Sequence, residues 1–265
     1  MINEVINLRP ENPAVTLTTY VSTDTPEMKP RKAMLVLPGG GYSGCAPHEG
    51  EKIALNYLAA GINAFVLNYS TKGNNPDMRY PMPLVDASNA MKHIKDNAKR
   101  YNIDPEKVFV IGFSAGGHLA STLGTIWHRD EVYAAAQPME YGYNKPAGMI
   151  LSYAVIDPDS HYGSFVNLLG ENPSDEELKY VSSNLNVDER TCPAFLWHTS
   201  DDSCVNVEGA LKMAIALKKQ NIQFEMHVYP HGQHGLGVPD GNGTSDNMPN
   251  VTTWMKHSID WVNSL

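Results

Sequence analysis

The chain has 265 residues, 42% hydrophobic and 18% charged, which is enough apolar content for a large core and too much for a disordered chain. Its net charge is −9 and its 20 Lys and Arg are scattered without a basic block, which argues against nucleic acid or an anionic membrane as partner. Three cysteines, Cys45, Cys192 and Cys204, form no even set and no CxxC pair, so at least one thiol is free, as suits a reducing compartment. The polar first twenty residues do not read as a signal peptide, and no run of eighteen apolar residues reads as a membrane span. The expectation is a cytoplasmic protein.

Taken in order, residues 14–21 (AVTLTTYV) alternate and predict an edge strand. AMLVLP (33–38) and NAFVLN (63–68) are continuous apolar runs, as expected for strands covered on both faces. Between them Ile53, Ala54, Tyr57 and Leu58 mark one side of a helix. Residues 86–101 carry Ala87, Ala90, Met91, Ile94, Ala98 and Tyr101 at helical spacing. VFVIG (108–112) predicts a strand and Gly116 onward a helix. MILSYA (149–154), AFLWHT (194–199) and FEMHVY (224–229) predict three more strands, with a helix marked by Ala210, Leu211, Ala214 and Leu217 between the last two. Val251, Trp254, Met255, Ser258, Ile259 and Val262 mark a C-terminal helix.

This alternation predicts an α/β fold, a mostly parallel sheet with helices on both faces. Residues 70–85, rich in Pro, Gly and Asn, and residues 155–193 interrupt it. Both read as insertions over a sheet end inside a single domain spanning 1–265.

Gly112-Phe113-Ser114-Ala115-Gly116 matches G-x-S-x-G at a strand-to-helix junction. Such a turn needs small residues at 112 and 116, lifts Ser114 above the sheet, and aims the free N–H groups of a helix start at the same place. A serine alcohol needs a base, and the base needs an orienting acid. In this arrangement they follow in the order Ser, acid, His, each after a strand. Asp201 and Asp202 follow AFLWHT; His231 and His234 follow FEMHVY. The favoured set is Ser114, Asp202 and His234, with Asp201 left open as the alternative acid. His231 reads as a packed or surface histidine, and His118 as one that packs beneath the serine. An oxyanion hole would take the Ala115 N–H and those of Gly40 and Gly41 in the loop VLPGGGYSG. Tyr42, Tyr69 and Arg79 are expected to contact substrate, and the 70–85 loop to roof the pocket.

Rival readings are weaker. Residues 39–44 also match G-x-G-x-x-G, but the next strand ends in Asn68 where a dinucleotide site needs an acid, and no Lys-Ser or Lys-Thr follows for a phosphate loop. His198, Asp201, Asp202, His231 and His234 could hold a metal, yet there is no HExxH and no Cys pair at zinc spacing. No metal and no cofactor are expected.

LPGGGY, GFSAGGHLA, FLWHTSDDSCVNVE and YPHGQHGLG together resemble the α/β-hydrolase superfamily, and within it short-chain esterases related to hormone-sensitive lipase and to bacterial acetyl-xylan and feruloyl esterases. The likeness runs from about residue 33 to the C-terminus. It implies metal-free hydrolysis of small carboxylic esters, often acetyl groups on sugars, with a small lid. Pro38 stands where lipase-like members carry the His of HGGG, and Phe113 replaces their acidic residue before the serine, which favours the carbohydrate-esterase branch. Thr199 and Asn206 stand where Gly and Pro are frequent around the acid. A peptidase or thioesterase with the same triad, or a small-molecule binder without the chemistry, are the alternatives. The partner expected is a small-molecule ester, and a homo-oligomer through a sheet edge or helix face stays open.

Overall fold

A computed structural model describes residues 1–23, 29–238, 248 and 250–265. The strands are β1 (Val5–Asn7), β2 (Thr16–Tyr20), β3 (Arg31–Leu37), β4 (Asn63–Asn68), β5 (Ile103–Phe113), β6 (Met149–Ser152), β7 (Ala194–Thr199) and β8 (Phe224–Tyr229). The helices are α1 (Glu51–Ala59), α2 (Met82–Asp96), α3 (Ala98–Tyr101), α4 (Ala115–Thr125), α5 (Asp130–Ala135), α6 (Tyr162–Leu169), α7 (Asp175–Val181), α8 (Glu208–Lys219) and α9 (Thr253–Ser264), with 3-10 turns at Pro47–Glu49 and Ser183–Leu185.

Among the described residues these strands form one eight-stranded sheet in the order β1-β2-β4-β3-β5-β6-β7-β8. β3 to β8 run parallel, and β2 and β1 are antiparallel additions at one side. The strand predicted at the edge is therefore second from it. β2 pairs on both sides, and three-residue β1, too short to show a period, covers its outer edge.

The continuous apolar runs hide an alternation. Ala33, Leu35, Leu37, Val108 and Val110 point into a cluster with Ala87, Met91, Leu119, Leu123, Met213 and Leu217 from α2, α4 and α8. Met34, Val36, Phe109, Ile111 and Phe113 point the other way, onto Ile53 and Tyr57 of α1 and Trp254, Trp261 and Val262 of α9. Each Val, Leu, Ile, Phe or Met so buried is worth about 1.5–3 kcal/mol, which is why the sheet needs helices on both faces. Trp197 and Trp254 stack with centroids 4.7 Å apart and tie β7 to α9.

Because β3 to β8 are parallel, the segments that follow them emerge along one edge of the sheet. That edge receives residues 38–45, 70–81, Ser114, the 153–193 insertion, the 200–206 turn and the 230–238 loop. No helix among the described residues is long and apolar enough to cross a membrane.

Candidate active site

Ser114 sits between β5 and α4 with φ 52° and ψ −120°, a conformation that costs a non-glycine residue strain and turns its side chain out of the sheet. The flanking glycines are required by space. A Cβ on Gly112 would lie 2.0 Å from the Gly116 carbonyl oxygen, and one on Gly116 would lie 2.2 Å from that of Leu37. Ser114 N–H donates to the Ser152 carbonyl, and its own carbonyl accepts from Val155, so neighbouring β6 braces the turn.

The structure brings together three side chains the sequence singled out. Ser114 Oγ lies 2.9 Å from His234 Nε2, and His234 Nδ1 lies 2.7 Å from Asp202 Oδ2. A carboxylate accepts, so Nδ1 carries the proton and Nε2 is left to accept from the serine hydroxyl. Asp202 Oδ1 also accepts the Cys204 and Val205 amides at 2.9 and 3.0 Å. His198, fully buried at the end of β7, reaches Asp202 Oδ2 at 3.3 Å and the Val205 carbonyl at 3.0 Å. Burial alone would raise the Asp202 carboxyl. The donors from His198, His234 and the Val205 amide outweigh that and hold it well below the ordinary carboxylate range.

Asp201 is placed elsewhere. It bonds His231 Nδ1 at 3.0 Å and the Gly232 amide at 2.8 Å, in an exposed pair outside the relay. The five residues weighed as metal ligands thus divide into this surface pair and Asp202 with its two imidazoles.

The glycine loop lies against the nucleophile. A Cβ on Gly39 would come within 2.9 Å of Ser114 Cβ. Gly40 and Gly41 have φ of 123° and 62°, values that glycine tolerates and that let successive N–H groups turn inward. Gly40 O accepts from Ser43 and Gly44, and Gly41 O accepts from Asn167 Nδ2 at 2.7 Å. Ala115 opens α4 directly after Ser114.

Of the three expected substrate contacts, Tyr42 and Tyr69 need correction. Tyr42 and Tyr69 are fully buried beneath the glycine loop. The Tyr42 hydroxyl donates to His118 Nδ1 at 2.8 Å and the Tyr69 hydroxyl to the Pro38 carbonyl at 2.6 Å. Tyr42 has a positive φ of 60°, and both buried tyrosines spend their hydroxyls bracing this part of the chain. Arg79 donates to the Leu169 carbonyl and lines a separate 360 Å³ cleft with Tyr80, Leu169, Glu176, Glu177 and Tyr180. Ser114, Asp202 and His234 are not among the residues lining that cleft.

The insertions close around the site. In the 70–85 segment, Lys72 and Gly73 amides bond the Tyr42 and Ser43 carbonyls, so it covers the glycine loop. In the 155–193 segment the Ser160 carbonyl accepts from Asn206 beside the acid turn, while Asn167 holds Gly41. Burial pushes the Cys45 thiol up to about 12 and also raises that of Cys204, so neither competes as a nucleophile near neutrality.

His118 is buried beneath the serine turn, as expected. Its Nε2–H donates to the Val181 carbonyl at 2.8 Å, and burial pushes the imidazole down to about 4. Between that value and the ordinary 6.5 the unfolded chain binds a proton that the folded chain refuses. The stability from keeping His118 neutral is therefore full above pH 6.5 and is lost as pH falls toward 4, by about 3 kcal/mol in all. Thermal unfolding should show a steeper acid loss between pH 6.5 and 4 for the native chain than for His118→Gln. Equal slopes would contradict this account.

Sheet order, nucleophile turn and relay together define an α/β hydrolase. The BD-FAE family model matches residues 20–217, and the chain belongs to that family. It is 43% identical over 210 residues to endo-1,4-beta-xylanase B of Butyrivibrio fibrisolvens, covering 78% of this chain and 33% of that protein. It is 33% identical over 220 residues to an acetylxylan esterase of Xylanibacter ruminicola, covering 80% of this chain and 42% of that protein. The chain thus spans less than half the length of these two relatives. The crystal structure of an acetyl ester-xyloside bifunctional hydrolase from Caldicellulosiruptor lactoaceticus superposes with a TM-score of 0.84 at 39% identity, covering 98% of this chain and 96% of that one.

Proposed function

We propose that this chain is a serine esterase that removes acetyl groups from xylo-oligosaccharides and related acetylated sugars. The observation that carries the chemistry is the unbroken relay from Ser114 Oγ through both nitrogens of His234 to Asp202, at 2.9 and 2.7 Å. The substrate class is supported by the names of the Xylanibacter and Caldicellulosiruptor proteins, the second of which aligns over nearly the whole chain.

In this reading Ser114 Oγ attacks the ester carbonyl carbon while His234 Nε2 takes its proton. The N–H groups of Gly40, Gly41 and Ala115 hold the tetrahedral oxyanion, each worth about 3 kcal/mol. Collapse breaks the C–O bond, and the imidazolium returns the proton to the departing sugar oxygen. Water then attacks acetyl-Ser114 with the same histidine as base, and acetate leaves. Asp202 keeps the imidazole in the right tautomer and stabilises its transient charge. The partner is a small neutral ester, in keeping with a net charge of −9. Three free cysteines support a cytoplasmic site of action on imported oligosaccharides.

Acetate release from acetylated xylo-oligosaccharides, aryl acetates, acyl thioesters and acylated peptides tests the proposal. The expected order places the acetylated sugars first in kcat/KM. Turnover of peptides or thioesters alone would overturn it.

A further inference from the structure

One buried carboxylate near the relay is not used by the mechanism above. Glu49 ends the 3-10 turn Pro47–Glu49 and is 2% exposed. Burying a carboxylate is unfavourable unless its oxygens are satisfied, and here one is satisfied by the glycine loop and the other by a tyrosine that also holds the histidine loop. Oε2 accepts the Gly39 amide at 2.7 Å, and Oε1 accepts the Tyr153 hydroxyl at 2.6 Å. The Tyr153 oxygen in turn accepts the Gly237 amide at 2.9 Å. Gly39 leads directly into Gly40 and Gly41, while Gly237 lies just beyond His234.

Tyr153 is itself placed under constraint. It follows β6 with a φ of 35°, which a bulky residue adopts only when its surroundings enforce it. Its ring meets the His234 imidazole edge to face, with centroids 5.0 Å apart. Trp197 and Phe113 pack its other sides. The same 3-10 turn grips the histidine loop a second time, through His48 Nε2 and the Gly235 carbonyl at 3.0 Å, and Trp254 Nε1 donates to the Gly237 carbonyl at 3.1 Å.

We propose that Glu49 is a positioning residue: acting through the Tyr153 hydroxyl, it fixes the oxyanion loop relative to the loop that carries the base. The inference rests on the esterase reading for its meaning but not on the sugar. Both loops must be in register when the carbonyl becomes tetrahedral, because the donors must meet the oxyanion while the imidazole meets the serine proton. Glu49 spends its oxygens on Gly39 and Tyr153 and not on the Ser114 hydroxyl or the His234 ring, so its contribution enters through their spacing. Glutamine at 49 cannot reproduce it. With its oxygen on the Gly39 N–H, its NH₂ could only donate to the Tyr153 oxygen, and the tyrosine proton would lose the carboxylate that accepts it.

The test follows phosphonylation of Ser114 by a small fluorophosphonate, a reaction that needs nucleophile, base and oxyanion donors but no sugar. Initial rates on an aryl acetate are measured beside it. Glu49→Gln should lower the maximal labelling rate and kcat about tenfold or more, with the half-saturating reagent concentration and KM within about twofold. Tyr153→Phe keeps the ring against His234 and removes only the hydroxyl, so it reads the link even if Glu49→Gln folds poorly. It should also lose about tenfold, and the double variant should lose no more than Glu49→Gln alone, as residues acting as one unit do. Native rates in folded Tyr153→Phe, losses confined to KM, or losses that multiply in the double variant would overturn the inference. Failure of the native enzyme to release acetate from sugars, with these rate losses intact, would overturn the substrate proposal and leave the Glu49 link established.

Discussion

Ser114→Ala should abolish turnover, with kcat/KM falling by 10⁴-fold or more, on the order of the losses that follow removal of the nucleophile in other Ser-His-Asp centres. Among the described residues the hydroxyl that the relay activates is the one 2.9 Å from His234 Nε2. What remains, oxyanion donors and binding, accounts for the small residual rate. The fold should not notice. Ser114 holds φ 52° whether its side chain is CH₂OH or CH₃, and its backbone bonds to Ser152 and Val155 are untouched. The melting temperature should stay within a few degrees of native. Acetate release and thermal unfolding on the same preparation check both halves, and a variant that stays folded and keeps more than a hundredth of native activity would contradict the nucleophile assignment.

The adjacent carboxylates should behave very differently. Asp202→Asn should cost about 10⁴-fold in kcat, because an amide in place of the carboxylate favours the wrong imidazole tautomer. Asp201→Asn should stay within about twofold, since its partner His231 is on the surface and neither contacts Ser114 or His234. Asp202→Asn should also lose stability with a defined pH dependence. A carboxyl held below its ordinary range stabilises the folded chain above that range and loses the contribution as pH falls through the folded value. The gap in melting temperature between native and Asp202→Asn should therefore be wide at pH 7 and narrow as the medium becomes strongly acidic. Equal kcat for the two asparagine variants would show that the 2.7 Å contact does not orient the base.

Much of this architecture is legible in the chain. β4, β7 and β8 fall on their predicted residues because each is a six-residue run bounded by turn formers. The relay is legible because the fold delivers catalytic residues at strand ends, where GFSAG, TSDD and PHGQH stand out against apolar runs. The sequence favours Asp202 over Asp201 without excluding either, because neighbouring residues in a turn point apart; the amides of Cys204 and Val205 and the imidazoles of His198 and His234 show that Asp202 is drawn inward.

Other features were hidden for identifiable reasons. Tyr42 and Tyr69 flank the glycine loop or its neighbouring strand and so look ligand-facing, but both are buried and spend their hydroxyls on His118 and the Pro38 carbonyl. His198 carries a signal in retrospect, lying four residues before Asp202 on a strand entering the acid turn, though a buried histidine in an apolar strand suggests packing first. Glu49 and Tyr153 carry none. Their contact joins residues 104 positions apart, and each alone looks like an ordinary loop or strand-end residue. The 155–193 stretch reads in the sequence only as an insertion, without its helices. α6 and α7 are eight and seven residues long, too brief for a period to separate helix from turn.

The central claim is that Ser114, His234 and Asp202 form one acyl-transfer centre. Its most direct test is the site of covalent attachment after brief exposure of the native protein to a fluorophosphonate, read by intact mass and peptide sequencing. A single adduct on Ser114, suppressed in both Asp202→Asn and His234→Ala, is the predicted result. No adduct, an adduct on another residue, or labelling of Ser114 that proceeds at the native rate in those two variants would contradict it.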